Sequence, residues 1–268
     1  MKNKVVIVTG ASSGIGKSLA YETAKKGAKV VLASRNTDEI KYLSEKWNNE
    51  GLETIYIKTD VTQEEECKNL IEKTVERFHT IDVLINNAGI SMRAIFEELD
   101  LKVIEKVMAV NFWGCVYCTK YALPYLLKSK GSVVGISSIA GYKGLPGRTG
   151  YSASKFAMHG FLEVLRIENM KKGLHVMIAC PGFTSSNIRK TALAKDGSQQ
   201  GETPRNEEKM MQPDVVAKRI VSGIIKRKKS IIMTTEGILT VWLNKFFPYF
   251  TDKLVYNHMA KEPDSPFK

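Results

Sequence analysis

The chain begins with a pattern of apolar and polar residues that predicts a strand, a helix and a second strand. Residues 5–8 form a continuous β-branched run, which is typical of a parallel strand covered on both faces. Residues 17–26 then carry apolar side chains at helical spacing up to a stop at Gly27, and residues 29–33 form the next apolar run.

The same alternation continues along most of the chain. It predicts helices over residues 38–50, 62–78, 101–128, 152–171 and 213–226. It predicts strands over residues 54–58, 81–85, 132–136, 174–179 and 230–234. Since the chain has 268 residues and is 43% hydrophobic, it can bury the core of one large α/β domain, which we expect to span residues 1–268.

A glycine-rich turn joins the first strand to the first helix. Its sequence, TGASSGIG over residues 9–16, has glycines at positions 10, 14 and 16. A strand, a glycine turn and a helix together present backbone N–H groups and a helix N-terminus to a pyrophosphate, so the pattern favours dinucleotide binding. The residues expected to contact the cofactor here are Gly10, Ser12, Ser13, Gly14, Ile15 and Gly16.

The end of the second strand indicates which cofactor is bound. An acidic residue about 20 positions after the glycines would bind the adenosine ribose 2′-hydroxyl. The sequence instead has Ser34 and Arg35, which can hydrogen-bond and pair with a 2′-phosphate. We therefore expect NADP(H) rather than NAD(H), although an exposed loop arginine is the simpler interpretation of Arg35 taken alone.

Further candidate residues follow other predicted strands, at the edge where ligands bind in open α/β sheets. Asp60 and Val61 follow the third strand and are expected to contact the adenine, although Asp60 or Thr62 could equally serve as a helix N-cap. The candidates after the fourth strand are small and amide residues suited to close passage of the cofactor, namely Asn87, Ala88 and Gly89.

Tyr151 and Lys155 lie one turn apart on a predicted helix, and Ser138 follows the fifth strand. A free tyrosine loses its proton only near pH ~10, so a lysine cation that stabilises the phenolate would bring it closer to working range. Hydride transfer to or from a carbonyl carbon needs a proton donor and a second hydrogen bond at the oxygen, which Tyr151 and Ser138 would supply. Taken alone, a Tyr and a Lys at this spacing are common on solvated helix faces.

Together these motifs resemble those of the short-chain dehydrogenase/reductase family: TGASSGIG (9–16), NNAG (86–89), Asn111, SSIAG (137–141), YSASK (151–155) and PG (181–182). The resemblance spans residues 4–235 and implies a single doubly wound Rossmann domain with about seven parallel strands. It implies that Ser138, Tyr151 and Lys155 form the catalytic triad and that Asn111 holds a water in the proton relay.

The resemblance also implies that Pro181, Gly182 and Thr184 contact the carboxamide and phosphate side of the cofactor, and that Lys155 contacts its nicotinamide ribose. From the residues alone, Asn111 would be a hydrogen-bonded core asparagine. The family resemblance further implies a homodimer or homotetramer assembled through the long helices around 101–128 and 152–171.

Two segments outside the motifs carry separate expectations. Residues 185–212 are polar and irregular, and their position after Thr184 favours a substrate lid over an inert linker. Within the C-terminal apolar extension, residues 237–268, aromatic and leucine side chains recur at helical spacing up to Pro248. This stripe could pack over the pocket, contact another subunit, or dock on a membrane with help from the basic residues 226–229.

The amino-acid composition indicates which binding partners and which cellular compartment are expected. The net charge of +12 comes from scattered basic residues, so no nucleic-acid partner is expected. The four cysteines form neither a disulfide framework nor a zinc site, which predicts no metal and a cytoplasmic setting.

The sequence therefore predicts an NADPH-dependent oxidoreductase that acts on a bulky hydrophobic ketone or secondary alcohol, such as a steroid or a lipid ketone. The alternative is a catalytically silent NADP-binding sensor or scaffold of the same fold.

Overall fold

The computed structural model describes residues 1–201, 210–263 and 265–267. Within them, seven parallel strands form one sheet in the order β3-β2-β1-β4-β5-β6-β7. The strands are β1 Val5–Thr9, β2 Lys29–Ser34, β3 Glu53–Lys58, β4 Val83–Asn86, β5 Ser132–Ile136, β6 His175–Cys180 and β7 Ser230–Ile232. This order is that of the doubly wound Rossmann fold, as predicted.

The helices cover both faces of this sheet. They are α1 Gly14–Lys25, α2 Thr37–Asn49, α3 Glu64–Phe78, α4 Leu101–Met108, α5 Gly114–Lys128, α6 Thr149–Glu168, α7 Pro213–Ile225, α8 Thr235–Phe246 and α9 Pro248–Ala260. One buried core lies beneath α1, α2 and α7, and the other lies beneath α3, α5 and α6. Val6 and Val8 point into the first core and Ile7 into the second, which is why β1 is apolar from Val5 to Val8.

The structure differs from the sequence expectations mainly at element boundaries. The predicted helix over 101–128 is two α-helices joined by a π-helical turn, Ala109–Trp113. The predicted helix over 152–171 begins earlier, at Thr149, so that Tyr151 lies inside its first turn. The four cysteines are free and buried.

The C-terminal extension folds into two helices. Pro248 occupies the first turn of α9, where a proline needs no N–H partner, so it starts a second helix as well as ending the apolar stripe. In the described part of the chain, no helix combines the length and the apolar character needed to cross a membrane.

Candidate active site

The glycine turn after β1 has a conformation that depends on its glycines. Gly10 has a φ of +66°, in the left-handed region. A Cβ at Gly16 would lie 2.1 Å from the Gly10 carbonyl oxygen, so only glycine fits there. Asn87 supports the turn because its side-chain amide donates to the carbonyl oxygens of Thr9 at 2.9 Å and Gly10 at 3.2 Å.

The N-terminus of α1 is available to an anion. In the described chain, the Ser13 side chain does not cap this helix and its first turn carries no carboxylate. The N–H groups of that turn therefore remain free to bind a pyrophosphate, and the helix dipole favours negative charge there.

A cavity of about 1230 Å³ extends from this turn along the carboxyl edge of the sheet. Every residue that the sequence predicted to bind the cofactor lines it: Gly10, Ser12, Ser13, Gly14, Ile15, Gly16, Ser34, Arg35, Asp60, Val61, Asn87, Ala88, Gly89, Tyr151, Lys155, Pro181, Gly182 and Thr184. The glycine cradle, the open helix end and the cavity together fit a dinucleotide.

At the end of β2, Ser34 and Arg35 differ in exposure. Ser34 is 9% exposed, and its hydroxyl donates to Ser12 Oγ at 3.0 Å and accepts from the Asn36 N–H at 3.2 Å. Arg35 is exposed at the rim of the cavity. The expected adenosine end of the cavity is therefore marked by the Ser34 hydroxyl, which makes two hydrogen bonds, and by the exposed Arg35 side chain.

Asp60 also lines the cavity, but its carboxylate is used locally. It accepts hydrogen bonds from the Thr62 N–H at 3.0 Å and the Thr62 hydroxyl at 2.9 Å. The N-cap of α3 is Gln63, so the N-cap alternative for Asp60 or Thr62 is wrong. The carboxylate instead fixes the turn that carries Val61 to the cavity wall.

Ser138, Tyr151 and Lys155 meet at the other end of the cavity. The Lys155 side chain is 3% exposed, and its ammonium donates to the Ile136 carbonyl oxygen at 2.9 Å. That ammonium lies 5.7 Å from the centre of the Tyr151 ring. A Cβ at Gly89 would lie 3.7 Å from Lys155 Nζ, so glycine at this position leaves the ammonium accessible from the cavity.

Burial dominates the electrostatics of both titrating groups. It raises the pKa of Tyr151, and the Ser138 hydroxyl and the Arg148 guanidinium act in the opposite direction. It lowers the pKa of Lys155 to about 8, because the buried ammonium loses hydration. Without a bound cofactor, burial therefore favours the protonated form of Tyr151, and the tuning of its pKa by Lys155 stays a prediction.

Asn111 does not reach the cavity. It lies in the π-helical turn, is fully buried, and accepts from the Ile90 N–H at 2.8 Å. Its amide donates to the Ile90 carbonyl oxygen at 3.0 Å and to Ser154 Oγ at 2.9 Å. The side chain is thus the hydrogen-bonded core asparagine expected from the residues alone, and the water-relay role stays a prediction.

Two supporting side chains near the site were not predicted. The Thr9 hydroxyl accepts from the N–H groups of Asn87 at 3.0 Å and Ala88 at 3.1 Å, which ties β1 to the turn after β4. His159 contacts the Ser137 hydroxyl at 2.7 Å, and burial lowers its pKa to about 4. An isolated threonine or histidine gives no sequence signal of such a long-range contact.

The two segments after Thr184 also reach the cavity. The two ends of the predicted lid are joined by a backbone hydrogen bond, in which the Met211 N–H donates to the Phe183 carbonyl oxygen at 3.0 Å. Residues 202–209 of the predicted lid lie outside the described chain. From the C-terminal helices, the residues lining the cavity include Leu239, Leu243, Leu254, Val255 and Met259. Their contribution could not be derived from spacing, since it depends on how α8 and α9 fold back over the sheet.

Known proteins share both this sequence pattern and this fold. The family model for short chain dehydrogenases matches residues 4–197. A Sesamum indicum protein described as 11-beta-hydroxysteroid dehydrogenase A is 33% identical over 97% of this chain and 78% of its own length. A Dictyostelium discoideum dehydrogenase/reductase SDR family protein 7-like is 34% identical over 95% of this chain and 81% of its own length.

Solved structures show the same fold. An alcohol dehydrogenase from Thermococcus sibiricus, complexed with 5-hydroxy-NADP, has a TM-score of 0.76 and 24% identity, covering 87% of this chain and 96% of that one. A short chain dehydrogenase/reductase from Burkholderia phymatum, in complex with NAD, has a TM-score of 0.81 and 23% identity, covering 91% and 93%. The chain belongs to the short-chain dehydrogenase/reductase family and is an oxidoreductase with a nicotinamide cofactor.

Proposed function

We propose that this protein is an NADPH-dependent reductase of hydrophobic ketones, or the corresponding secondary-alcohol dehydrogenase, with Tyr151 as the acid/base. The observation that carries the proposal is the arrangement along one cavity. The glycine turn with its open helix end lines the same cavity as Ser138, Tyr151 and Lys155.

The preference for NADP(H) rests on the end of β2. A 2′-phosphate at this position would meet the Ser34 hydroxyl and the Arg35 guanidinium, and neither residue repels it. An NAD-selective site would instead carry a carboxylate there to bind the ribose hydroxyls.

The bound nicotinamide supplies the hydride chemistry at the substrate carbon. Tyr151 gives a proton to the substrate oxygen during reduction and takes it back during oxidation. Ser138 donates a second hydrogen bond to that oxygen and stabilises the charge that develops on it. Lys155, protonated below a pKa of about 8, favours the phenolate and orients the ribose.

The apolar substrate class is supported by the apolar side chains that line the same cavity as Tyr151. Leucine and methionine side chains from the lid and the C-terminal helices line this cavity, namely Leu193, Met211, Leu239, Leu243, Leu254 and Met259. Burial of such surface favours a bulky apolar ligand by about 25 cal/mol per Å². The names of the relatives from Sesamum indicum and other plants point to the same class.

The proposed organisation of the chain is a single domain with two segments at its substrate site. Residues 1–268 form one domain, residues 185–212 close over the substrate, and residues 237–268 complete its wall. The cytoplasmic setting likewise stays a proposal.

We also propose a homodimer or homotetramer, because the outer surface of α6 and the turn before α5 expose large apolar side chains such as Trp113, Phe156 and Ile167. Light scattering on the purified protein measures this directly, and a monomer at micromolar concentration would exclude it.

Peripheral membrane contact is the less favoured role for the C-terminal surface. The basic residues 226–229 precede β7 and α8 follows it, so the two lie at opposite edges of the sheet and do not form one surface. The observation in favour of membrane contact is that α8 and α9 expose aromatic side chains, including Trp242 and Phe250. Absence of co-sedimentation with anionic liposomes would exclude it.

The competing function is a silent NADP-binding sensor or scaffold. NADPH oxidation measured with steroid, acyl and sugar ketones separates the two functions. We expect turnover that is highest with the apolar ketones and that falls in a Ser138→Ala variant. Tight NADPH binding without turnover of any carbonyl in the panel would favour the sensor.

A further inference from the structure

The C-terminal helices hold the loop that joins Ser138 to Tyr151. From α8, the Asn244 side chain donates to the Tyr142 carbonyl oxygen at 3.1 Å. From α9, the Asp252 carboxylate pairs with Lys143. Their C-terminal partners, Asn244 and Asp252, lie outside residues 4–197, which the family model matches.

A buried ion cluster provides a third attachment. Glu262, just after α9, pairs with Arg148 at 3.2 Å and with Arg93 at 3.7 Å. The three side chains are only 5–10% exposed, and Arg93 also donates to the Pro263 carbonyl oxygen at 2.6 Å. Removing one partner of such a cluster is destabilising, because the remaining charges stay buried.

Arg148 occupies a decisive place in this cluster. It is the N-cap residue of α6, immediately before the turn that carries Tyr151. Its backbone neighbour Gly147 accepts from the Ala94 N–H at 3.0 Å, which fixes the start of the helix to the segment after β4. Its guanidinium also lines the cavity and lowers the pKa of Tyr151 against the effect of burial.

We propose that Glu262 is a positioning residue: its carboxylate fixes the Arg148 guanidinium beside the first turn of α6 and holds the C-terminal helices over the substrate end of the cavity. The inference rests on the proposed role of Tyr151 as the acid/base. It assigns to the C-terminal segment a part in the reaction, in addition to its apolar contacts.

The charged and titratable groups around Tyr151 come from several elements. Lys155 and Arg148 face it from its own helix and helix cap, and Cys180 faces it from the end of β6. Other groups that line the same cavity are Lys106 on α4, Arg189 in the lid, Glu236 on α8, His258 on α9 and Lys261 just after α9. Apart from Arg148 itself, none of these groups is changed by the substitutions below, so a shift measured in the variants reports on the Arg148–Glu262 pair.

Two single substitutions should move the titration of Tyr151 in opposite directions. In Arg148→Met, the cation that stabilises the phenolate is lost, so the acidic limb of kcat/KM for alcohol oxidation moves to higher pH. In Glu262→Gln, the guanidinium loses its counterion and acts more strongly on the phenol, so the limb moves to lower pH. Both should also raise KM for an apolar substrate by about tenfold, because the wall over the cavity loosens.

The experiment is a set of pH profiles with the full-length protein, NADP⁺ and an apolar secondary alcohol. A double variant, Arg148→Met combined with Glu262→Met, covers the case in which a single substitution prevents folding. It leaves no unpaired charge at Arg148, and apolar replacement of a buried ion pair is often neutral or stabilising. Its limb should also move to higher pH, since Arg148 is the partner that acts on Tyr151. Asp214→Asn is the matched control, because it removes an exposed carboxylate that pairs with Lys218 at 3.4 Å on α7.

The inference is overturned, and only a structural role remains for Glu262, if the acidic limb of a folded Glu262→Gln variant or of the double variant coincides with that of the wild type. A Tyr151→Phe variant measured alongside separates this result from failure of the proposed function. If that variant keeps its turnover, the acid/base assignment itself is wrong. If it is inactive and the other limbs do not move, only the role of Glu262 is wrong.

Discussion

The cofactor preference can be reversed at the end of β2 with a small perturbation. The change is Ser34→Asp combined with Arg35→Ala. An aspartate can keep both local hydrogen bonds of Ser34, because it can accept from the Asn36 N–H and from the Ser12 hydroxyl. The fold should therefore tolerate the substitution, and its effect should be confined to the adenosine end of the cavity.

The magnitude follows from the contacts that a 2′-phosphate would lose. A hydrogen bond to a charged group contributes about 1.5–3 kcal/mol, and the exposure of Arg35 puts its contribution at the low end. Loss of two such contacts amounts to about 3 kcal/mol, or about 100-fold in the preference for NADPH over NADH. Repulsion between the new carboxylate and the phosphate adds to this figure.

The assay is kcat/KM with NADPH and with NADH for the same ketone, expressed as a ratio. Lys41→Glu, on the exposed face of α2, makes the same change in net charge away from the cavity and serves as the control. The reasoning is refuted if the ratio in the double variant changes by less than about tenfold. A wild-type protein that already prefers NADH would refute it as well.

Three further predictions concern the supporting structure. Burial lowers the pKa of His159 to about 4, against 6.5 in the unfolded chain. Between these two values the unfolded state binds a proton that the folded state does not, so the stability of the fold falls as the pH falls from 6.5 toward 4. Denaturant titrations of the wild type should show that the free energy of unfolding falls by about 2 kcal/mol from pH 7 to pH 5, and His159→Gln should remove this decrease. An equal decrease in both proteins would contradict this prediction. Lys155→Met should raise the free energy of unfolding at pH 7 by about 1–3 kcal/mol and abolish turnover, because the buried cation costs stability; a less stable variant would argue against it. Gly16→Ala should abolish binding of NADPH measured by fluorescence titration, since the new Cβ cannot fit 2.1 Å from the Gly10 carbonyl oxygen, and retained affinity would show that the turn can shift.

The cofactor half of the site could be predicted from the sequence because its chemistry is local. The turn over residues 9–16 needs glycines for its backbone, and β1 is apolar from Val5 to Val8 because both of its faces are covered. Ser34 and Arg35 could be identified because they stand at the end of the second strand, where the adenosine ribose is expected to bind. Each of these signals lies within a few residues of the feature that it predicts.

The rest of the site depends on contacts between distant residues. Glu262 pairs with Arg148 and Arg93 only because α8 and α9 fold back over the carboxyl edge, and periodicity does not encode that direction. Asn111 is a core residue because a π-helical turn aims its amide at Ile90. The pKa of Tyr151 is set mainly by burial, which a spacing of four residues to Lys155 cannot reveal.

The central claim is that Tyr151 exchanges the proton at the substrate oxygen, and Tyr151→Phe tests it most directly. Phenylalanine keeps the ring and its packing and removes only the hydroxyl. We predict that turnover of an apolar ketone with NADPH falls by about 1000-fold, while the dissociation constant for NADPH measured by fluorescence stays at the wild-type value. Turnover within about tenfold of the wild type would contradict the account.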